Sequence, residues 1–413
     1  MLLNRLWIGL FLSAVITACY KTFFLGDVDV FEAIVNNLFE SAKSGFEISL
    51  YLTGVLALWM GIMKIGEDGG AVRILTRMVA PLFSKLFPEL PENHPAFGTI
   101  MMNYSANMLG LDNAATPIGL KAMAQLQDAN PNKEVASNAQ IMFLVLNTSG
   151  LTIIPVTILA YRMSSHSANP SEVFLPILLA TFISTMAGLI FVSIRQKINL
   201  LNTTVLVYLG SVSLFVIGIF LILIWHPQYA GIISKVLGNF ILLLIVSVFI
   251  LLGVRAKINV YDSFIEGAKG GFDVAIKIIP YLVAILVAVG AFRASGAMDL
   301  LMNGLKDMLL YFGMTCVEFV EALPTGLMKP FSGSGARGMM LDVFEQEHLG
   351  PDSFAGRLAS VFQGSTETTF YILSVYFGSV QIKKIRYAAV AGLFADFVGI
   401  IAAIIISFMF FDC

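Results

Sequence analysis

Runs of about 20 residues with almost no charge recur from one end of this chain to the other, and they constrain its fold more than any other feature. A helix rises 1.5 Å per residue, so about 20 apolar residues cross the hydrocarbon core of a bilayer. The clearest runs occupy residues 5–22, 46–64, 172–194, 203–224, 232–254, 277–294 and 388–411. Of the 413 residues, 57% are hydrophobic and 13% charged, whereas a soluble domain carries about 25% charged residues. The chain is expected to be an all-α polytopic integral membrane protein with no soluble domain of any size. The 25 basic and 27 acidic residues leave a net charge of −2. That balance excludes a polybasic footprint for nucleic acid. Cys19, Cys316 and Cys413 lie far apart, which argues against a disulfide framework or a zinc site. The four histidines are scattered, with no HxxH or HExxH spacing. The first run follows Arg5 but lacks a small-x-small cleavage site, so it is expected to persist as a helix.

Four regions differ from the spans. Residues 96–127, 137–163, 314–346 and 352–380 alternate short apolar stretches with Gly, Pro, Asn, Ser and Thr. Interrupted backbone at membrane depth is tolerated where it is buried in protein or lines a cavity. These regions are expected to be broken helices or re-entrant hairpins, although some of them can simply cross.

An internal repeat is visible. Glu40-Ser41-Ala42-Lys43-Ser44-Gly45-Phe46-Glu47 returns as Glu266-Gly267-Ala268-Lys269-Gly270-Gly271-Phe272-Asp273, an offset of 226 residues. Each copy leads into an apolar helix that ends at a glycine-containing break, Asp68-Gly69-Gly70 in one and Ser295-Gly296-Ala297 in the other. Further on, Asn147-Thr148-Ser149 with Thr152 corresponds to Gln363-Gly364-Ser365 with Thr368. The chain therefore reads as two related halves, 1–198 and 199–413.

Charge placement orients them. Basic residues favour the cytoplasmic side of short loops. Arg195 and Lys197, Arg255 and Lys257, and Lys383, Lys384 and Arg386 fall inside, and Arg5 puts the N-terminus inside. The connection at 225–228 and the C-terminus then face outward. The first copy of the repeat begins outside and the second inside, giving two inverted-topology repeats, an architecture of several secondary transporters. Residues 31–46 and 258–272 mix charge with apolar positions at helical spacing and are expected to be amphipathic helices at the interface, one on each side.

Polar residues at membrane depth require a structural or functional reason, because a charge there costs about 2.5–3.5 kcal/mol on insertion scales. Asn103, Asn107, Asp112, Asn113 and Thr116 form a first cluster at a helix start. They suit either a capping network or contact with a solute or ion. Asn147, Thr148, Ser149 and Thr152 precede Pro155, which breaks the helix and frees carbonyls for an ion or for neighbouring hydroxyls. Ser332-Gly333-Ser334-Gly335 reads as the tip of a hairpin and lacks P-loop spacing. Arg337 beside it suits an anionic solute, with a salt bridge to Glu321 or Asp342 as the plainer account. The strongest cluster is Gln363-Gly364-Ser365-Thr366-Glu367-Thr368-Thr369. Glu367 is the leading candidate to accept from a solute, bind a cation or carry a proton; if buried, it would be harder to ionise. Asp396 is a weaker case of the same kind. The candidate solute-binding set is thus Glu367, Thr366, Thr368, Gln363, Ser365, Asn147, Thr148, Asp112, Asn113, Thr116, Asn107, Ser332 and Ser334. No residue spacing suggests a catalytic triad, a resident metal or a cofactor.

These residues also carry a resemblance. Phe87-Pro-Glu-Leu-Pro-Glu-Asn-His94-Pro95-Ala96, Asn107 to Lys121, Leu146-Asn147-Thr148 and Ser167-Ala168-Asn169-Pro170 make the first half similar to bacterial spore maturation protein A. Val260-Tyr-Asp262-Ser-Phe-Ile-Glu-Gly-Ala-Lys269, Ser332-Gly-Ser-Gly335 and Gln363-Gly-Ser-Thr-Glu-Thr-Thr-Phe370-Tyr371 make the second half similar to spore maturation protein B. Nearly the whole chain is covered, as in a fusion of the two. Those families contain the nucleoside recognition, or Gate, domain, whose name is shared with segments of nucleoside and ferrous-iron transporters. The resemblance implies membrane transport of a nucleoside or another small polar solute. Sodium or a proton is the candidate coupling ion, and a homo-oligomer in the bacterial cytoplasmic (inner) membrane is expected. A solute sensor or an assembly factor is the alternative.

Overall fold

The computed structural model describes residues 2–91, 94–109, 112–225 and 230–413. The short connection after Trp225, with His226, lies outside the described residues. α1 (Leu2–Tyr20) continues through a π-helical turn into the long α2 (Val30–Asp68). Gly70, at φ 90°, turns the chain into α3 (Ala71–Leu86). α4 (Pro95–Met108) and α5 (Asp112–Ala129) form a hairpin, followed by the short α6 (Asn138–Thr148) and α7 (Val156–Ser164). α8 (Phe174–Gln196), α9 (Thr203–Trp225) and α10 (Ala230–Arg255) lead into α11 (Val260–Ala294). Gly296, at φ 79°, then opens α12 (Ala297–Tyr311). The short α13 (Leu323–Met328) and α14 (Gly333–Glu345) precede α15 (Phe354–Ser365), α16 (Thr369–Ser379) and the terminal α17 (Ala388–Phe410).

Among the described residues six helical stretches are long and apolar enough to cross a membrane: Trp7–Leu25, Val30–Asp68, Pro170–Gln196, Val236–Arg255, Val260–Ala294 and Ala388–Phe410. The protein is therefore an all-α, multi-pass membrane protein. α9 is also free of charge along its 23 residues.

The two charged stretches expected at the interface are instead the first halves of continuous helices. No proline interrupts residues 30–68, and α2 runs unbroken for 39 residues. α11 runs for 35 and accommodates Pro280. The two helices lie antiparallel, so the charged half of each packs along the apolar half of the other. Gly45 faces Val283, Gly61 faces Phe264 and Gly271 faces Ala57. Small residues at these positions let the backbones approach closely, which is how helices gain packing energy in lipid.

α8 and α17 form a second close pair. Ser184 donates from Oγ to the Ala395 carbonyl at 2.9 Å, and Gly188 sits against Ala395. The short helices α6, α15 and α16 pack beside this pair and α7 packs against α2 and α15, with Phe143, Tyr161 and Phe362 buried.

Cys316 and Cys413 are disulfide-bonded, with Cα atoms 6.0 Å apart, inside the usual range for such a bond. This corrects the expectation drawn from their spacing. They are 97 residues apart in sequence, and α17 returns the C-terminus to the segment that precedes α13.

Candidate functional site

The chain has two helix breaks that face one another. α6 stops at Thr148 and α7 resumes at Val156. Pro155 supplies no N–H for the missing turn. α15 stops at Ser365 and α16 resumes at Thr369. The Glu367 amide donates to the Thr148 carbonyl at 2.8 Å, so each break satisfies part of the other's backbone. Gly150 leaves room for the Glu367 side-chain stem, which a Cβ would meet at 3.1 Å.

The hairpin tips close on the same place. The Ile153 amide donates to the Met108 carbonyl, at the end of α4, at 2.8 Å. The Phe370 amide donates to the Pro330 carbonyl, just before α14, at 3.0 Å.

A cavity of about 240 Å³ opens at this junction, lined by Asn107, Thr116, Asn147, Glu367, Tyr371 and Tyr376. Asn107 donates from Nδ2 to Asn147 Oδ1 at 2.8 Å, and Asn147 donates to the Phe143 carbonyl at 2.9 Å. The asparagines are thus fixed by each other and by a backbone carbonyl within α6. A second, smaller cavity of about 90 Å³ lies across Glu367; its polar lining includes Tyr161, Lys329, Arg337, Gln363 and Thr366. Glu367 borders both cavities. Its side chain is exposed.

The structure thus brings Asn107, Thr116, Asn147, Gln363, Thr366 and Glu367 around one junction. Other candidates are placed elsewhere. Ser365 donates to the Phe362 carbonyl of its own helix at 3.1 Å. Thr148 donates to the Val145 carbonyl at 3.1 Å, so its backbone carbonyl, not its hydroxyl, meets Glu367. Ser332 caps α14 by accepting from the Gly335 amide at 2.9 Å and lies 3.2 Å from the Ser334 hydroxyl. Thr368 is buried at the start of α16, where its hydroxyl lies against Gly333. The side chains of Asp112 and Asn113 lie outside the described residues. Asp396 is buried in α17 and accepts from Thr369 Oγ1 at 2.7 Å, locking α16 to α17.

Arg337 does not pair with Glu321 or Asp342. Arg293 takes both, reaching Asp342 Oδ2 at 2.8 Å through Nε and Glu321 at 3.9 Å, while Lys306 holds Glu321 at 2.6 Å. Tyr371 and Tyr376 were not among the sequence-predicted residues. One signal was present for Tyr371, which lies in the first turn of α16, just after the break that holds Glu367. Among the described residues no group of three or more His, Cys, Asp or Glu side chains is placed to hold a metal ion.

Comparison with known proteins gives the chain a family. The model of the Gate family, described as nucleoside recognition, matches residues 49–164. That span includes α4 to α7 and hence one of the two breaks. The chain is 43% identical over 190 residues to spore maturation protein A of Bacillus subtilis, covering 46% of this chain and 93% of that protein. It is 47% identical over 168 residues to spore maturation protein B of the same organism, covering 41% of this chain and 91% of that protein. Neither relative carries the name of an enzyme. With both relatives matched almost end to end at such identity, the chain belongs to the spore maturation protein A and B family.

Proposed function

We propose that this protein is a secondary transporter of a small polar solute, a nucleoside or related metabolite, in the bacterial cytoplasmic membrane. Its two halves, 1–198 and 199–413, are inverted repeats that share one central site, and sodium or a proton drives uptake. The observation that carries this reading is the meeting of two helix breaks at Glu367, with a polar cavity on each side of it. Discontinuous helices that cross at mid-depth are how many secondary transporters build a solute site.

Several features support the inverted relation. Gly70 and Gly296, both left-handed, stand 226 positions apart, the offset of the sequence repeat. The same offset turns the Gly45–Val283 contact into the Gly271–Ala57 contact. Such an exchange is what a two-fold axis in the membrane plane produces. The Cys316–Cys413 disulfide supports an external C-terminus, because disulfides persist on the oxidising side of the membrane. A homo-oligomer belongs to the same proposal.

Replacing Glu367 with Gln is expected to reduce solute uptake into proteoliposomes by about 10- to 100-fold, the loss of one charge-assisted hydrogen bond. The thermal midpoint should stay unchanged, since the side chain is exposed. Wild-type uptake by E367Q would remove Glu367 from the mechanism. The relatives are named for spore maturation, which favours a sensor or assembly factor as the second reading. Solute binding without flux would select it.

A further inference from the structure

Arg337 is the one interior arginine of the described residues without a carboxylate. Arg162 holds Glu172 and Asp352, Arg293 holds Asp342, and Arg357 holds Glu172. No carboxylate comes within 4.0 Å of Arg337 among the described residues. Its guanidinium lies 5.3 Å from the centroid of the Tyr161 ring, and its buried Nε has no hydrogen-bond partner. A guanidinium does not deprotonate in a protein, and an uncompensated one is costly at membrane depth. The cation–π contact offsets only part of that cost.

A second cation lies nearby. Lys329 is buried in the wall of the same small cavity and interacts electrostatically with Asp396. Gln363 reaches the Gly333 carbonyl through Nε2 at 3.4 Å. Its buried Oε1 is left without a partner. Among the described residues Glu367 is the only acid lining this cavity, and it also faces the larger cavity.

Resting on the transporter reading and deepening it, we propose that the solute carries an oxyanion, a carboxylate or a phosphate. The oxyanion is seated at Arg337 and Lys329 in the small cavity. The rest of the solute extends past Glu367 into the larger cavity and gives a hydrogen bond to the Glu367 carboxylate. A planar, five-donor guanidinium matches an oxyanion in geometry as well as charge. The small cavity, about 90 Å³, suits one such group, and the larger, about 240 Å³, suits the remainder of the solute.

The test uses the full-length protein in detergent and matched solutes that differ only in the acidic group: uridine against uridine 5′-monophosphate, and glutamine against glutamate. Ligands that bind the folded state raise its thermal midpoint, and titration of that rise gives the apparent affinity. The acidic member of at least one pair is expected to bind about 10- to 100-fold more tightly than its neutral partner. The responding pair tells phosphate from carboxylate. R337Q should erase the difference, and R337K, which keeps the charge, should retain part of it. Equal responses within both pairs, no response to either acid, or undiminished selectivity in R337Q overturns the proposal. Uptake into proteoliposomes separates it from the transport reading. Acid-selective binding without uptake leaves the oxyanion site standing and removes transport. Uptake of neutral solutes that R337Q does not alter removes the oxyanion site and keeps transport.

Discussion

Replacing Arg162 with Met is expected to destabilise the protein by about 3–5 kcal/mol, the cost of removing one partner from a buried ion cluster. Arg162 is fully buried in α7. One terminal nitrogen donates to the Pro351 carbonyl at 2.6 Å and to Ser360 at 3.3 Å. The other donates to Ser167 at 3.0 Å and to Glu172 and Asp352 at 2.8 Å each. Methionine fills much of the volume and supplies none of these donors. Arg357 still reaches Glu172 at 2.6 Å, so the larger share of the loss falls on Asp352 and on the Pro351 carbonyl. Burial works against the Asp352 carboxylate. The Ser167 hydroxyl, the Ala168 amide, Arg162 and Arg357 outweigh it and hold Asp352 below its ordinary range. A carboxylate with a lowered folded-state pKa stabilises the fold at every pH above its unfolded value of about 3.9, and that stability is lost only below it. The cluster should therefore hold undiminished from neutral pH down to mild acid. The thermal midpoint of R162M in detergent checks this, and a midpoint equal to that of the wild type would show that the cluster contributes nothing net.

The second large effect lies between α2 and α11. A Cβ built on Gly271 would stand 2.6 Å from the backbone N and Cα of Ala57. Backbone of a packed helix has no rotamer with which to yield, so G271L forces the two long helices apart. Overpacking of this kind costs about 1–3 kcal/mol or more. Here it acts along a close contact of two long helices, so loss of monodisperse protein is the expected outcome. G271A already carries the offending Cβ and should show a smaller version of the same defect. G270A is the control, because its nearest neighbour is the flexible end of Met60 at 3.4 Å. Near-wild-type behaviour of G271L would mean that the helices do not meet along this line.

The membrane class, six of the spans and the two helix breaks were legible because their signals are local. About 20 uncharged residues, or a proline after Asn147-Thr148-Ser149, say the same thing wherever they occur. The charged stretches around Lys43 and Lys269 read as interfacial helices but belong to the long helices α2 and α11. Their polarity is local, while the helix that each packs against along one side lies more than 200 residues away. Arg162 carried no signal at all, since Glu172 and Asp352 reach it from 10 and 190 positions away. The Cys316–Cys413 bond was hidden in the same way. Arg337 was noticed, but its carboxylate was assigned by proximity in sequence; Asp342, five positions on, turns out to belong to Arg293. Tyr371 and Tyr376 were overlooked because an aromatic residue in an apolar helix resembles ordinary packing.

The Arg162 cluster also sets an order of events during synthesis. Arg162, Ser167 and Glu172 leave the ribosome together, whereas Pro351, Asp352, Arg357 and Ser360 follow some 190 residues later. Until they arrive, the nascent first half holds a guanidinium with one of its two acids. Lengthening the interval by slowing translation after α8 should therefore raise degradation of the unfinished chain by membrane proteases. The remedy for that vulnerability is already present in the polypeptide, because the missing acid arrives tethered to the chain that needs it, at a ratio of one to one, however dilute the protein is in the membrane.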